Sequence, residues 1–153
     1  MKVTMLLADA AQAIDGKLYI LGGGWSVTGP MPSPSAIALK IDVPWDQANK
    51  KHRWDLSLLD GDGHPVLVST PQGEQPVQIS GEFEVGRPPG LIPGVALDAT
   101  IAFNLGPLPL EPGSRFVWRL SIDDASDEAW QLAFSTRPAQ TAVPGEPHSA
   151  GGG

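Results

Sequence analysis

Cysteine is absent from the 153-residue chain, which excludes a disulfide framework, a zinc ribbon and thiolate chemistry together. A domain of this length needs no such staple, because folding buries roughly two-thirds of the surface that the unfolded chain exposes. The same absence leads us to expect a cytoplasmic protein. No apolar run approaches the roughly 18 residues that a membrane-crossing helix requires. Basic residues are also scarce: ten Lys and Arg stand against seventeen Asp and Glu, for a formal charge of −7 at pH 7. Neither nucleic acid nor an anionic membrane is an expected partner for such a chain, since both are bound by basic faces that displace counterions. The one basic cluster, Lys50-Lys51-His52-Arg53, stands at the entrance to a strand and reads as a solvated turn.

Motifs of catalysis are missing as well. No Gly-x-Ser-x-Gly occurs, and Gly22-Gly23-Gly24 is followed by neither a helix nor the Lys-Ser/Thr of a phosphate-binding loop. Ser26 beside that triplet is the nearest candidate nucleophile, and nothing in the sequence supplies it with a histidine. The expectation is that the protein is not an enzyme. A hydrolase using Ser26 or paired aspartates is the third-ranked reading.

What the chain does contain is alternation. In residues 114–123, Phe116, Trp118, Leu120 and Ile122 share one phase while Val117, Arg119 and Ser121 take the other, the period of two of a half-buried strand. Ile37, Leu39, Ile41 and Val43 repeat the pattern, as do Trp54, Leu56 and Leu58, then Val77, Ile79, Phe83 and Val85 with Gly81 interrupting, and the long series from Val95 to Leu105. Residues 2–9 have the six-residue apolar core of a first strand, too short for a signal peptide and followed by Asp9. Leu18 to Leu21 run apolar on both faces, which predicts a central or covered strand. Asp60-Gly61-Asp62-Gly63 is the strongest turn signal and predicts a hairpin returning along residues 65–69. Only residues 45–51 offer a helical turn. The predicted fold is all-β: an antiparallel two-sheet sandwich of eight or nine strands, immunoglobulin-like in general architecture, with a partly open barrel as the alternative. Residues 1–136 form the single domain, and residues 137–153 a disordered Pro/Gly-rich tail.

Asp60, Asp62 and His64 fall at every second position, like the opening of a calcium loop, but Pro71 stands where the twelfth-position glutamate belongs. A cation held at the rim by Asp60, Asp62 and a second cluster, Asp123, Asp124 and Asp127, is the calcium alternative; otherwise no cofactor is expected. Aspartates in hairpin connections more commonly cap their own turns. Trp54, Trp118 and Trp130 share the inward phase of their strands, which leaves Trp25 and Trp45 as the exposed candidates for stacking on a sugar.

The segments MKVTMLLADAAQAIDGKLYILGGGW, WDLSLLDGDG, GRPPGL, EPGSRFVWRLSID and AWQLAFSTR together resemble an uncharacterised family of small bacterial, mainly actinobacterial, proteins known only as a domain of unknown function. The resemblance covers residues 1–136 and implies no activity, catalytic residue or ligand. The functional expectation therefore rests on two loops rich in proline and glycine, residues 22–34 and 86–94. Their apolar and basic residues Trp25, Met31, Arg87, Leu91 and Ile92, with Trp45, are the candidate binding residues for a protein partner or for self-association. A module binding carbohydrate or calcium is the second reading.

Overall fold

The computed structural model describes residues 1–140. Twelve strands follow in order: β1 (Lys2–Ala8), β2 (Ala10–Ile14), β3 (Lys17–Leu21), β4 (Val27–Thr28), β5 (Ser35–Val43), β6 (His52–Asp60), β7 (Leu67–Thr70), β8 (Gly73–Pro76), β9 (Gln78–Phe83), β10 (Leu97–Leu105), β11 (Arg115–Ile122) and β12 (Ala125–Thr136). Among the described residues a single 3-10 turn, Trp45–Gln47, replaces the expected helical turn. Three strands in the order β1-β5-β10 form one sheet and five in the order β4-β12-β11-β6-β9 form the other. The fold is therefore an all-β sandwich whose two main sheets hold the expected number of strands, with two ribbons, β2-β3 and β7-β8, added to them.

Alternation in the sequence becomes burial in the structure. On β5 the odd positions Ile37, Leu39, Ile41 and Val43 are fully buried, and they face Leu56, Leu58, Trp118 and Leu120 of the opposite sheet. Each such side chain removed from water contributes roughly 1.5–3 kcal/mol. The indole of Trp54 on β6 stacks on Phe103 of β10, ring centroids 5.6 Å apart and planes within 9°, so one aromatic pair bridges the two sheets. Gly81 on β9 lies directly opposite Trp54. A Cβ there would come within 2.7 Å of the indole, which is why the in-phase series from Val77 to Val85 is interrupted by a residue with no side chain.

The outer face of the three-stranded sheet is built from small residues. Ala8, Ala36 and Ala38 are buried there with Ala11, under Leu18 and Ile20 of the β2-β3 ribbon. Asn104 ties the ribbon down: its Oδ1 accepts the Ala11 N–H at 3.2 Å and its Nδ2 donates to the Ala11 carbonyl at 2.9 Å. The apolar stretch of β3 is thus half covered: Tyr19 and Leu21 point outward and are exposed. β1 is an edge strand of its sheet.

The expected hairpin at residues 60–64 forms its turn but not its ladder. Asp60 N–H donates to the His64 carbonyl and Leu59 bridges Pro65. Beyond this a closed ring of backbone bonds diverts the chain, Val66 N–H to Leu58 O, Val77 N–H to Val66 O and Leu58 N–H to Val77 O, each 3.0 Å. β7 and β8 then leave as their own ribbon and β9 becomes the partner of β6. The second departure from the expected pattern is β4, which runs parallel to β12.

Of the proposed tail, residues 141–153 lie outside the described residues. Arg137 is bound to the domain through its N–H to Thr28 O and its Nη1 to Gly29 O, both 2.8 Å.

Gly81→Ala should cost about 1–3 kcal/mol, because the buried Trp54 ring is held by Phe103 and cannot retreat freely. Urea denaturation measures this directly; a variant as stable as the parent would show that the indole has room to move.

Candidate functional site

The sheets approach edge to edge where β1 passes β12, and a single segment, residues 22–28, laces that seam. Gly24 N–H donates to Leu7 O of β1 at 2.7 Å, while Ser135 N–H donates to Ser26 O at 2.9 Å and Arg137 N–H to Thr28 O. Glycine is required where the segment leaves β3: Gly22 has φ +60°, and a Cβ on it would collide with the Asp9 carboxylate. Trp25 fills the space between the two edges, its indole packed edge-on against Phe134 at 6.4 Å and 88°.

Past Gly29, whose bond to Pro30 is cis, the chain folds back over the end of the sandwich. Pro30, Met31, Pro32 and Ser33 wall one side of a cavity, Leu108 and Leu110 wall the other, and Leu7, Trp118 and Phe134 lie beneath. A water molecule's centre could range over about 40 Å³ inside it, which leaves room for several heavy atoms. That is small beside the clefts that hold drug-sized ligands. No ionisable side chain lines the cavity. Among the described residues the indole Nε1 of Trp25 is buried without an acceptor. The Thr136 hydroxyl at the rim is already engaged, donating to Glu111 O at 2.7 Å and accepting from Ser114 N–H at 3.0 Å.

Of the six candidate binding residues, this end collects Trp25 and Met31 alone. Trp45, Arg87, Leu91 and Ile92 gather at the other end, separated by the length of β5, about 26 Å at roughly 3.3 Å per residue. There the Arg87 guanidinium stands 4.7 Å from the centroid of the Trp45 ring and donates to the Trp45 carbonyl. Leu91 and Ile92 are exposed, Ile92 at 73 %. Trp25 and Trp45 are both partly buried against the core, and one face of Trp45 is occupied by Arg87, so neither offers an open stacking platform.

The two acidic clusters do not meet. In the β6–β11 register Phe116 pairs with Asp60 whereas Ile122, next to Asp123, pairs with Trp54, so the clusters occupy opposite ends and no one ion draws ligands from both. Asp60, Asp62 and His64 bring ligand atoms within 4.8 Å of one another in an exposed turn. Asp60 has a local task there: Oδ1 accepts the N–H groups of His64 and Asp62, both 2.9 Å, and the His64 bond foremost holds its carboxyl below the usual range. Asp123 and Asp124, at φ +52° and +63°, form the two-residue turn from β11 to β12. Asp127 accepts the Ala129 N–H in the irregular stretch of β12.

His52 was placed in a solvated basic turn by its neighbours, and the structure buries it, leaving 3 % exposed. Its Nδ1 meets Asp123 Oδ2 at 2.7 Å, its Nε2 meets the Gln47 carbonyl at 2.9 Å, and the ring stacks on Phe83. With an acceptor at each nitrogen, the doubly protonated ring satisfies both. Burial opposes the charge and Lys50 adds to that opposition, but the Asp123 and Gln47 bonds prevail and raise the pKa above its ordinary 6.5. Asp123 is correspondingly held below its ordinary value, first by His52 and then by the Arg53 N–H. The signal for burial was present in the sequence, since His52 has the same parity as Trp54, Leu56 and Leu58. With both nitrogens committed, His52 is no base for Ser26, which lies in the seam at the opposite end.

The geometry defines an all-β sandwich with a small cavity at one end that no ionisable side chain lines, while Asp60, Asp123 and Asp127 are engaged in turns and strand irregularities elsewhere. The chain belongs to a family of unknown function, DUF6941, whose family model matches residues 3–135. A search of curated proteins finds no significant match. No helix among the described residues is long and apolar enough to cross a membrane.

The raised pKa of His52 has a definite sign for stability. Its contribution is complete below the unfolded value near 6.5 and is lost as pH rises through the higher folded value; that of Asp123 is complete above about 3.8 and is lost as pH falls. Urea midpoints should therefore decline from about pH 6 to pH 9, and His52→Asn should flatten that decline. Superimposable profiles for the two proteins would assign the pH dependence elsewhere.

Proposed function

We propose that this chain is a non-enzymatic contact module of a bacterial cytoplasm, which engages another protein or a second copy of itself through the end of the sandwich built by residues 21–34. The observation that carries the reading is Met31, 76 % exposed beside a cavity lined by no ionisable side chain. Leu21, 71 % exposed, and Val27 stand on the same segment. Large apolar side chains in water beside a ready-made recess are the usual anchors of protein contacts. The acidic balance of the chain supports a partner other than nucleic acid or membrane, and its lack of cysteine supports the cytoplasm. Against catalysis stands the employment of the titratable groups: His52, Asp60 and Asp123 each hold a turn in place.

Light scattering on the eluting protein, paired with affinity capture from the native host, provides the test, using the parent and a Leu21→Asp, Met31→Asp variant. The parent should self-associate or retain a defined protein, and the variant should lose that contact at least tenfold while keeping its melting temperature within a few degrees. A parent that is strictly monomeric and retains the same proteins as the variant would sink the reading.

A further inference from the structure

We propose that the rim at Trp45 carries a proton-operated latch: His52 clasps the Trp45–Gln47 turn only while both of its ring nitrogens carry hydrogen, and loss of one hydrogen releases the turn while the sandwich stays folded. The two partners of the ring carry the inference, because each can only accept. Asp123 Oδ2 lies 2.7 Å from Nδ1 and the Gln47 carbonyl oxygen 2.9 Å from Nε2. The ring is 3 % exposed and stacked on Phe83, so water does not stand in for either partner. A neutral imidazole has a single N–H. It keeps that hydrogen on Nδ1, where the carboxylate makes the stronger, charge-assisted bond, and then sets the Nε2 lone pair against the oxygen of Gln47.

Little else ties the turn to the sheets. None of residues 45–47 is buried. Among the described residues the other hydrogen bonds that reach the segment from outside are those of Arg87 to the Trp45 carbonyl and of Asn49 N–H to Val85 O, and both lead to the stretch that runs from β9 into the 86–94 loop. β6, which carries His52, is by contrast paired with β11 on one side and β9 on the other, so the histidine stays in place and the turn is what moves. The charges that face the ring are Asp123 from the β11–β12 turn, which favours the proton, and Lys50 from the segment after the 3-10 turn, which opposes it; Phe83 of β9 brings none. The raised pKa of His52 gives the sign: the latch is closed at low pH and opens as pH rises through a value above the ordinary 6.5. Because Arg87 moors the 86–94 loop to the same turn, the latch also sets how firmly the loop bearing Leu91 and Ile92 is held.

The test titrates the intact protein between about pH 5 and pH 9, following the His52 ring nitrogens, assigned by their disappearance in His52→Asn, together with hydrogen exchange at the Ala48 and Asn49 amides corrected for its intrinsic pH dependence. Nε2 should lose its hydrogen with a midpoint above 6.5, and corrected exchange at both amides should rise at least about fivefold through that same midpoint, while the Leu39 and Ile41 amides of β5 change less than about twofold. In Asp123→Asn, which keeps a residue that tolerates the left-handed turn conformation, the ring and amide midpoints should fall together by at least about one pH unit. A ring already neutral at pH 6, amides that stay protected through the ring's midpoint, or an amide midpoint that stays put when the ring's moves would each overturn the latch. The parent's two midpoints decide the matter alone should Asp123→Asn fail to fold. The latch sits at the end opposite Met31, so its outcome leaves the contact reading untouched.

Discussion

Ile37, Leu39, Ile41 and Val43 have no exposed surface at all, and the strand that carries them is paired on both sides, with β1 and with β10. β5 is thus the element against which everything else is placed. Its inward phase sets the spacing of the sheets by meeting Leu56, Leu58, Trp118 and Leu120. Its outward phase, Ala36 and Ala38, is small enough that the β2-β3 ribbon lies close upon it. A larger residue on that second face would lift the ribbon and break the two bonds that Asn104 makes to Ala11. Because the strand is central to its sheet, its two ends also fix where the loops must gather, and they keep the 22–34 and 86–94 loops apart.

A sandwich of two unequal sheets must still cover the edge where they part. Here three strands face five, and the cover is a crossing segment bonded alternately to β1 and β12 rather than another full strand. Two residues suffice to form β4, and the side chain that completes the closure is Trp25. A flat, wide indole seals such a gap efficiently, but it fits imperfectly into a space shaped by Leu7, Trp118 and Phe134. The remaining cavity and the unpaired Nε1 are therefore two consequences of the same closure. Met31 and Val27 remain in water because they lie on the outer side of the segment whose inner side does the sealing.

How much of this was legible in the sequence follows the same physics. Period-two alternation reports burial locally, and β5, β6, β10 and β11 appear where the phase placed them. His52 was legible by parity and obscured by composition, since three cationic neighbours suggested solvent. Gly81 marked a close approach, although nothing in the sequence indicated that Trp54 was what approached it. Partners were not legible, because turn chemistry specifies a reversal and says nothing of how far the returning strand stays paired. The Asp60–His64 turn formed as its residues required, yet the three-way ring of Leu58, Val66 and Val77 gave β6 to β9. The candidate residues Trp25 and Met31 on one side, and Trp45, Arg87, Leu91 and Ile92 on the other, looked like one set because they share a loop composition. Only the strand between them shows that they belong to two ends.

The two ends differ in a way that bears on function. At the Trp45 end the polar groups pair with one another: Arg87 with the Trp45 carbonyl and ring, His52 with Asp123 and Gln47, and Arg53 with Asp55. Such a surface is internally satisfied, and a partner would have to break existing bonds to form its own. Both ends leave apolar side chains in water, Leu91 and Ile92 at one and Val27 and Met31 at the other, but the Trp25 end also holds a buried donor without an acceptor among the described residues. Association is favoured where binding removes apolar area from water and satisfies a group that the isolated protein leaves unpaired. The proposed contact reading rests on that difference, and the opposite rim keeps its own exposed apolar residues in Leu91 and Ile92.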